Sequence, residues 1–153
     1  IGGFNPPFFQ RRNFMEKCNC VFCKIARGEI PCYKVYEDDK ILAFLDISQT
    51  TRGHTLVITK EHFDNMLYVP KDLLSQSISV AQKIAQAEVA TLKANGINVL
   101  INTEEAAGQT VMHFHIHVIP RYNDKDHISI EFTPTGIEKL NLPALATEIK
   151  ERL

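Results

Sequence analysis

From Asp72 to Asn95 the chain carries its one long helical pattern, with Leu74, Ile78, Ala81, Ala85, Glu88 and Leu92 recurring near the helical period and Gly96 placed to end the run. Everything around it reads as strand. "YKVYED" and "KILAFLD" flank an acidic turn in the manner of a hairpin, and "HTLVIT" at 54–59 is β-branched and bounded by Gly53. "INVLINT" and "HFHIHVIP" follow the helix, joined by the small and polar linker "EEAAGQTVM". Strands, a helix, then strands without regular alternation predict an α+β domain with a five-stranded, mainly antiparallel sheet. A short helical turn in "NCVFCKIARGEI", closed by Gly28 and stopped by Pro31, precedes the sheet, and a short amphipathic helix from about Pro143 follows it.

The 153 residues suit one domain able to bury a core without disulfide staples. Residues 1–14, "IGGFNPPFFQRRNF", precede a methionine and differ in character from the rest, so they are read as an appended or alternative-start extension and 15–153 as the domain. A net charge of −1 argues against a polymeric nucleic-acid partner, whose binding needs a clear Lys/Arg excess, yet leaves room for a small anion. No apolar run approaches the roughly 20 residues that cross a bilayer, and no secretion signal is visible, so a cytoplasmic protein without a membrane partner is expected.

The four cysteines, Cys18, Cys20, Cys23 and Cys32, lie in the first quarter of the chain, where pairing would close only short loops. Cys20-x-x-Cys23 therefore reads as a metal knuckle or a redox pair. Two more ligands would complete a tetrahedral zinc site, and His54, after Gly53, and His113, opening the last strand, are the candidates. Such a filled shell would make the zinc structural. The plainer reading is two reduced thiols packed in the core.

"HFHIH" at 113–117 places half of the chain's six histidines at alternate positions, so on a strand all three rings face one way. Same-face neighbours on a strand stand roughly 6.6–6.8 Å apart, so three rings in a row do not converge on one ion and must divide their tasks. With His113 drawn to metal, His115 is the chemical residue: an imidazole whose Nδ1 proton is held by a backbone carbonyl offers a lone pair at Nε2. His117 could orient it or donate to a departing group. The preceding Gly108-Gln109-Thr110-Val111 supplies a close-approach glycine, an amide and a hydroxyl able to surround a phosphoryl group, although alone it would pass for a surface turn. Three histidines bonded only to backbone or solvent is the bland alternative.

"GQTVMHFHIHVIPR" resembles the signature of the histidine-triad (HIT) family of nucleotide hydrolases and transferases, "FLDISQTTRGHTLVITKEH" is similar to its second block, and "CVFCKI" resembles the zinc knuckle of its bacterial branch. The resemblance runs from about Cys20 to Arg121. It implies a homodimer whose two five-stranded sheets join into one of ten strands. It also implies His115 as the nucleophile of a nucleotidyl-histidine intermediate, Asp46 on the ribose hydroxyls, and Asn102, Gln109 and Thr110 near the phosphates. Phe22, Ile25, Phe44, Ile47 and Leu56 match positions that wall a purine base. Without the resemblance Asp46 reads as a turn residue. The chain departs from the family at Thr59, and at Gln49 or Thr50, where proline is usual, which bears on loop rigidity. A nucleotide-binding or scaffolding module with little turnover, and a metalloenzyme with an open histidine site, are the competing classes.

Overall fold

The computed structural model describes residues 18–123 and 125–153, and the expected extension at 1–14 lies outside them. Of the described residues, 18–128 form one compact unit and 129–153 belong to another. In the first, α1 (Val21–Ala26) leads into β1 (Lys34–Glu37), β2 (Ile41–Leu45), β3 (Thr55–Thr59), α2 (Lys71–Leu92), β4 (Gly96–Leu100) and β5 (His115–Arg121). The five strands form one sheet in the order β1-β2-β3-β5-β4, every neighbouring pair antiparallel. The protein is thus α+β, with β1 and β4 at the sheet edges.

Alternation along the strands feeds two cores. Ile41, Ala43, Val57, Ile116 and Val118 face one way and pack with Val80, Ala81 and Ile84 of α2. Leu42, Phe44, Leu56 and Ile58 face the other way and pack with Phe22 and Ile25 of α1. Burying each such side chain contributes roughly 1.5–3 kcal/mol, so a five-residue strand buried throughout, as β3 is, holds its register firmly. On β5, odd positions lie opposite the α2 face, which leaves His115 and His117 on the α1 side.

Two boundaries differ from expectation. The long helix ends at Leu92, not near Asn95, because Lys93 itself takes the left-handed cap conformation (φ 62°), and Gly96 opens β4. The Lys93 ammonium donates back to the Ala90 carbonyl at 2.8 Å, satisfying one of the last free carbonyls of the helix. The strand expected to begin at His113 begins at His115. In the second unit, α3 (Leu142–Lys150) starts where Asn141 Oδ1 accepts from the Ala144 amide at 3.2 Å, with Pro143 in the first turn. Among the described residues no helix is long and apolar enough to cross a membrane.

One buried carboxyl stands out behind the sheet. Glu88 of α2 is 6% exposed; its Oε1 lies 3.1 Å from Thr55 Oγ1, and its Oε2 has no partner. The Thr55 hydroxyl also lies 2.8 Å from the Gly53 carbonyl and holds only one proton to give. Burial pushes the Glu88 carboxyl up to about 7, against the hydrogen bond from Thr55. Its folded-state value therefore lies above its unfolded one, so the protonated group favours folding below the unfolded value, and that advantage is lost as pH rises to about 7. Glu88→Gln, which keeps a donor for Thr55, should match the wild type in urea unfolding near pH 4.5 and exceed it at pH 8 by on the order of 2 kcal/mol. Equal stabilities at both pH values would show that Glu88 is not protonated in the fold.

Candidate functional site

The β3–β5 pairing sets which histidines meet. Ile58 stands opposite His115 and Leu56 opposite His117, so chain position on β3 rises as position on β5 falls. His54 therefore lies at the His117 end and His62 at the His113 end, on either side of five β3 residues that span roughly 16 Å. The structure accordingly brings Cys20, Cys23 and His113 together with His62, and the expected ligand His54 is instead beside Asp46 and His117. His62 was the residue that spacing alone missed. Its signal was the antiparallel register, under which only a histidine just beyond the end of β3 reaches the segment preceding His115.

The four donor atoms of Cys20, Cys23, His62 and His113 lie within 4.8 Å of one another. Cys20 and Cys23 Sγ are each 3.5 Å from His113 Nδ1, Cys23 Sγ is 3.3 Å from His62 Nδ1, and the two Nδ1 atoms are 3.2 Å apart. A tetrahedral zinc ion would set sulfur and nitrogen about 3.6 Å apart and two nitrogens about 3.4 Å apart, so the set fits the ion. Both rings are oriented for it from behind. His113 Nε2–H donates to the Thr59 carbonyl at 2.7 Å and His62 Nε2–H to Asp64 at 2.9 Å, leaving both Nδ1 atoms facing the thiols. Burial raises the Cys20 thiol, but hydrogen bonds with His113 and His62 outweigh it and hold it at about 5. Hydrogen bonding to Cys20 lifts His62 to about 9 against burial, with help from Asp64. Without an ion His62 is thus the proton-carrying partner of the Cys20 thiolate, and a metal ion bound between them would take the place of that proton.

His115 lies next along β5, and the residue is 4% exposed. Phe22 stands edge-on to it at 5.2 Å and His117 at 4.9 Å. Its Nδ1 is 2.7 Å from the His113 carbonyl oxygen, which only accepts, so the proton sits on Nδ1. Nε2 has no hydrogen-bond partner among the described residues and is not among the buried unpaired atoms, so the lone pair keeps access to solvent. Burial lowers the basicity of His115, and burial followed by the neighbouring His115 and His54 brings His117 down to about 4. Both rings are neutral at physiological pH. His117 Nδ1 pairs with His54 Nε2 at 3.0 Å, while His54 Nδ1 is buried without a hydrogen bond, 3.8 Å from Asp46.

The loop that carries Asp46 and His54 is held by one amide. Gln49 Nε2 donates to the Asp46 and His54 carbonyls at 2.6 and 2.8 Å, and its Oε1 accepts from the Gly53 amide at 2.7 Å. These bonds supply the rigidity that the missing proline put in question.

The loop before β5 uses Gln109 differently from the sequence expectation. Its two N–H groups donate to the Asp64 and Val111 carbonyls at 2.6 and 3.0 Å, and its Oε1 accepts from the Glu104 amide at 2.8 Å. No donor remains for a phosphate, and Gln109 acts on the loop instead. Asn102 donates to the Gly108 carbonyl at 3.3 Å, Gly108 takes φ +84°, and the Thr110 and Val111 amides find no acceptor among the described residues. Of the residues expected to wall a base, Phe22, Ile25, Phe44 and Leu56 are buried together on the histidine face, whereas Ile47 is 89% exposed beside Asp46.

Residues 27–124, more than half of the chain, match the model of the HIT domain. The chain is 51% identical over 108 residues to Protein hit of Bacillus subtilis, covering 71% of this chain and 74% of that protein. It is 35% identical over 135 residues to the adenosine 5'-monophosphoramidase hnt1 of Schizosaccharomyces pombe, covering 88% and 98%. Among solved structures, a HIT family protein from Bacillus anthracis superposes with a TM-score of 0.83 at 46% identity, covering 88% of this chain and 97% of that one. A zinc-bound histidine-triad protein from Mycobacterium smegmatis gives 0.68 at 40%, covering 87% and 97%.

Asp64 fixes the tautomer of His62 but is itself largely exposed. Asp64→Asn should weaken Zn2+ binding about tenfold in competition with a chromophoric chelator, the lower end of the effect of such supporting groups. Unchanged affinity would mean that His62 is oriented without it.

Proposed function

The chain belongs to the HIT-domain family, and from that premise we propose a hydrolase or transferase acting on nucleoside monophosphates joined through phosphorus to a leaving group. The observation that carries the reading is the His115 ring, protonated at Nδ1 against a backbone carbonyl and bare at Nε2. In the proposed reaction the Nε2 lone pair forms a bond to phosphorus while the bond from phosphorus to the leaving group breaks. The product is a nucleotidyl-histidine, which water then cleaves at phosphorus to return the imidazole.

His117 steadies the departing group. With its Nδ1 accepting from His54 Nε2–H, its own N–H lies on Nε2 and donates a hydrogen bond to the departing atom, which takes its proton from water, so the imidazole stays neutral throughout. Phosphate oxygens are received by the unpaired Thr110 and Val111 amides beside Gly108, with Asn102 bracing the loop. Gln109 serves by holding that loop. Asp46 accepts from the ribose hydroxyls, and the base lies against the apolar surface of Phe22, Ile25, Phe44 and Leu56 with the exposed Ile47 alongside. The named activity of the fission-yeast relative supports an amine leaving group; a dinucleoside polyphosphate offers another phosphate.

Cys20, Cys23, His62 and His113 hold zinc in this reading, supported by the spacing of the donors and by the zinc-bound relative. Four protein ligands leave no open position, so the ion supplies stability and orientation. The free edge of β4 supports pairing with a second copy into a ten-stranded sheet, and four free thiols support a reducing, cytoplasmic setting.

Adenosine phosphoramidate and a diadenosine polyphosphate test the proposal directly. At least one should turn over, His115→Ala should lower kcat by roughly 10⁴-fold or more, and His117→Ala by about 10²-fold. Because burial holds His115 below the usual imidazole range, the rate should stay level through neutral pH and fall only where acid protonates His115 Nε2 and removes its lone pair. Turnover of neither substrate, with tight binding of the monophosphate, would leave a binding module. Two metal ions per chain with the second essential would point to Asp46, His54 and His117 as an open metal centre.

A further inference from the structure

The cysteine that the Cys20-x-x-Cys23 knuckle leaves out stands beside the cluster, against His62. Cys18 Sγ lies 3.6 Å from His62 Nδ1, the separation of about 3.6 Å that a sulfur and a nitrogen adopt when both bind one tetrahedral zinc. It matches the 3.3–3.5 Å separations among the four donors themselves. The Cys18 backbone is anchored. The Cys18 carbonyl accepts from Arg27 Nη2 at 3.1 Å, and Arg27 is fixed by a two-point contact with Glu29 at 2.7 and 3.2 Å. The thiol is half-buried rather than free in solvent.

Cys20, Cys23, His62 and His113 lie within 4.8 Å of one another, and Cys18 flanks them on the His62 side, a fifth donor beside a site that binds four ligands. Of the two histidines, His113 is wholly buried, and its ring is locked by the Thr59 carbonyl. His62 follows β3, and its side chain is 31% exposed, so it is the imidazole free to leave. A thiolate is also the softer ligand and binds zinc well.

We propose that Cys18 is a fifth, interchangeable ligand that replaces His62, converting the site between Cys₂His₂ and Cys₃His; the inference rests on the reading of the cluster as a zinc site. In the exchange the Cys18 thiol loses its proton as its sulfur–metal bond forms and the His62 nitrogen–metal bond breaks. The released His62 Nδ1 takes that proton, and Asp64 holds the resulting imidazolium through Nε2. Charge is conserved, with one negative charge gained at the metal centre and one positive charge on His62.

The full chain, freed of metal under reducing conditions, would be titrated with Co²⁺, which takes the zinc position and reports thiolate ligands by a charge-transfer band. Wild type, Cys18→Ser, His62→Ala and the double variant are compared, each checked for folding by circular dichroism, with His62→Asn replacing the alanine variant if that one does not fold. His62→Ala should keep one tightly bound ion and show about one and a half times the wild-type band, as three thiolates replace two. Cys18→Ser alone should keep the wild-type band, and the double variant should return to it while binding at least about tenfold more weakly than His62→Ala. Identical bands and affinities in His62→Ala and the double variant would overturn the exchange, as would a band reduced by Cys18→Ser alone, which would make Cys18 a resident ligand. Absence of cobalt binding by the wild type would remove the zinc reading itself, an outcome distinct from both.

Discussion

The antiparallel register between β3 and β5 governs the rest of this molecule. With Ile58 opposite His115 and Leu56 opposite His117, both strands send their α2-facing residues into one core and leave two histidines on the other side. A slip of one residue would turn His115 and His117 into that core and expose Ile116 and Val118. Such a slip would cost several buried aliphatic side chains at roughly 1.5–3 kcal/mol each, so ordinary packing energy is what holds the histidines in place. The site needs no special stabilisation of its own because the core on the reverse face supplies it.

The same pairing explains what could and could not be read from the residues. Alternation in "HFHIHVIP" and the long pattern from Asp72 are local periodicities, and they located the strand and the helix. The helix end was a different matter, since the left-handed turn fell on Lys93 and not on the glycine three residues later. A ligand set joins distant segments. Choosing His62 over His54 requires knowing which end of β3 faces His113, and that information lies in the register, not in spacing. Gln109 shows the same limit: its amide is engaged by a carbonyl 45 residues away at Asp64, which no local motif reveals.

Side-chain amides do much of the work that proline would do by restricting the backbone. Gln49 joins three backbone groups of the loop between β2 and β3. Gln109 and Asn65 both bind Glu104, a non-glycine residue held at φ 70°, where an L side chain is normally strained. Asn65 is itself buried and accepts from the Leu67 amide at 3.0 Å. Each amide meets both donor and acceptor groups at once, so it fixes a loop of irregular backbone with its own oxygen and nitrogen matched. The Gly108–Val111 segment is thereby braced from Asp64 and Glu104, and its free amides owe their direction to bonds made elsewhere.

His113 links the metal cluster to the ring beside it by backbone geometry. Its side chain is held at both nitrogens, Nε2 by the Thr59 carbonyl and Nδ1 among the thiols, while its own carbonyl receives the Nδ1 proton of His115. His113 precedes the first paired residue of β5, and the peptide that carries its carbonyl is held by the Phe114 amide, which donates to the Phe63 carbonyl at 2.6 Å. An ion bound to His113 would add a second restraint on the same residue and so favour the His115 tautomer with Nε2 bare. That action is positional. It would leave the charge at His115 unchanged and let four ligands gather beside the imidazole proposed as the nucleophile without occupying its Nε2.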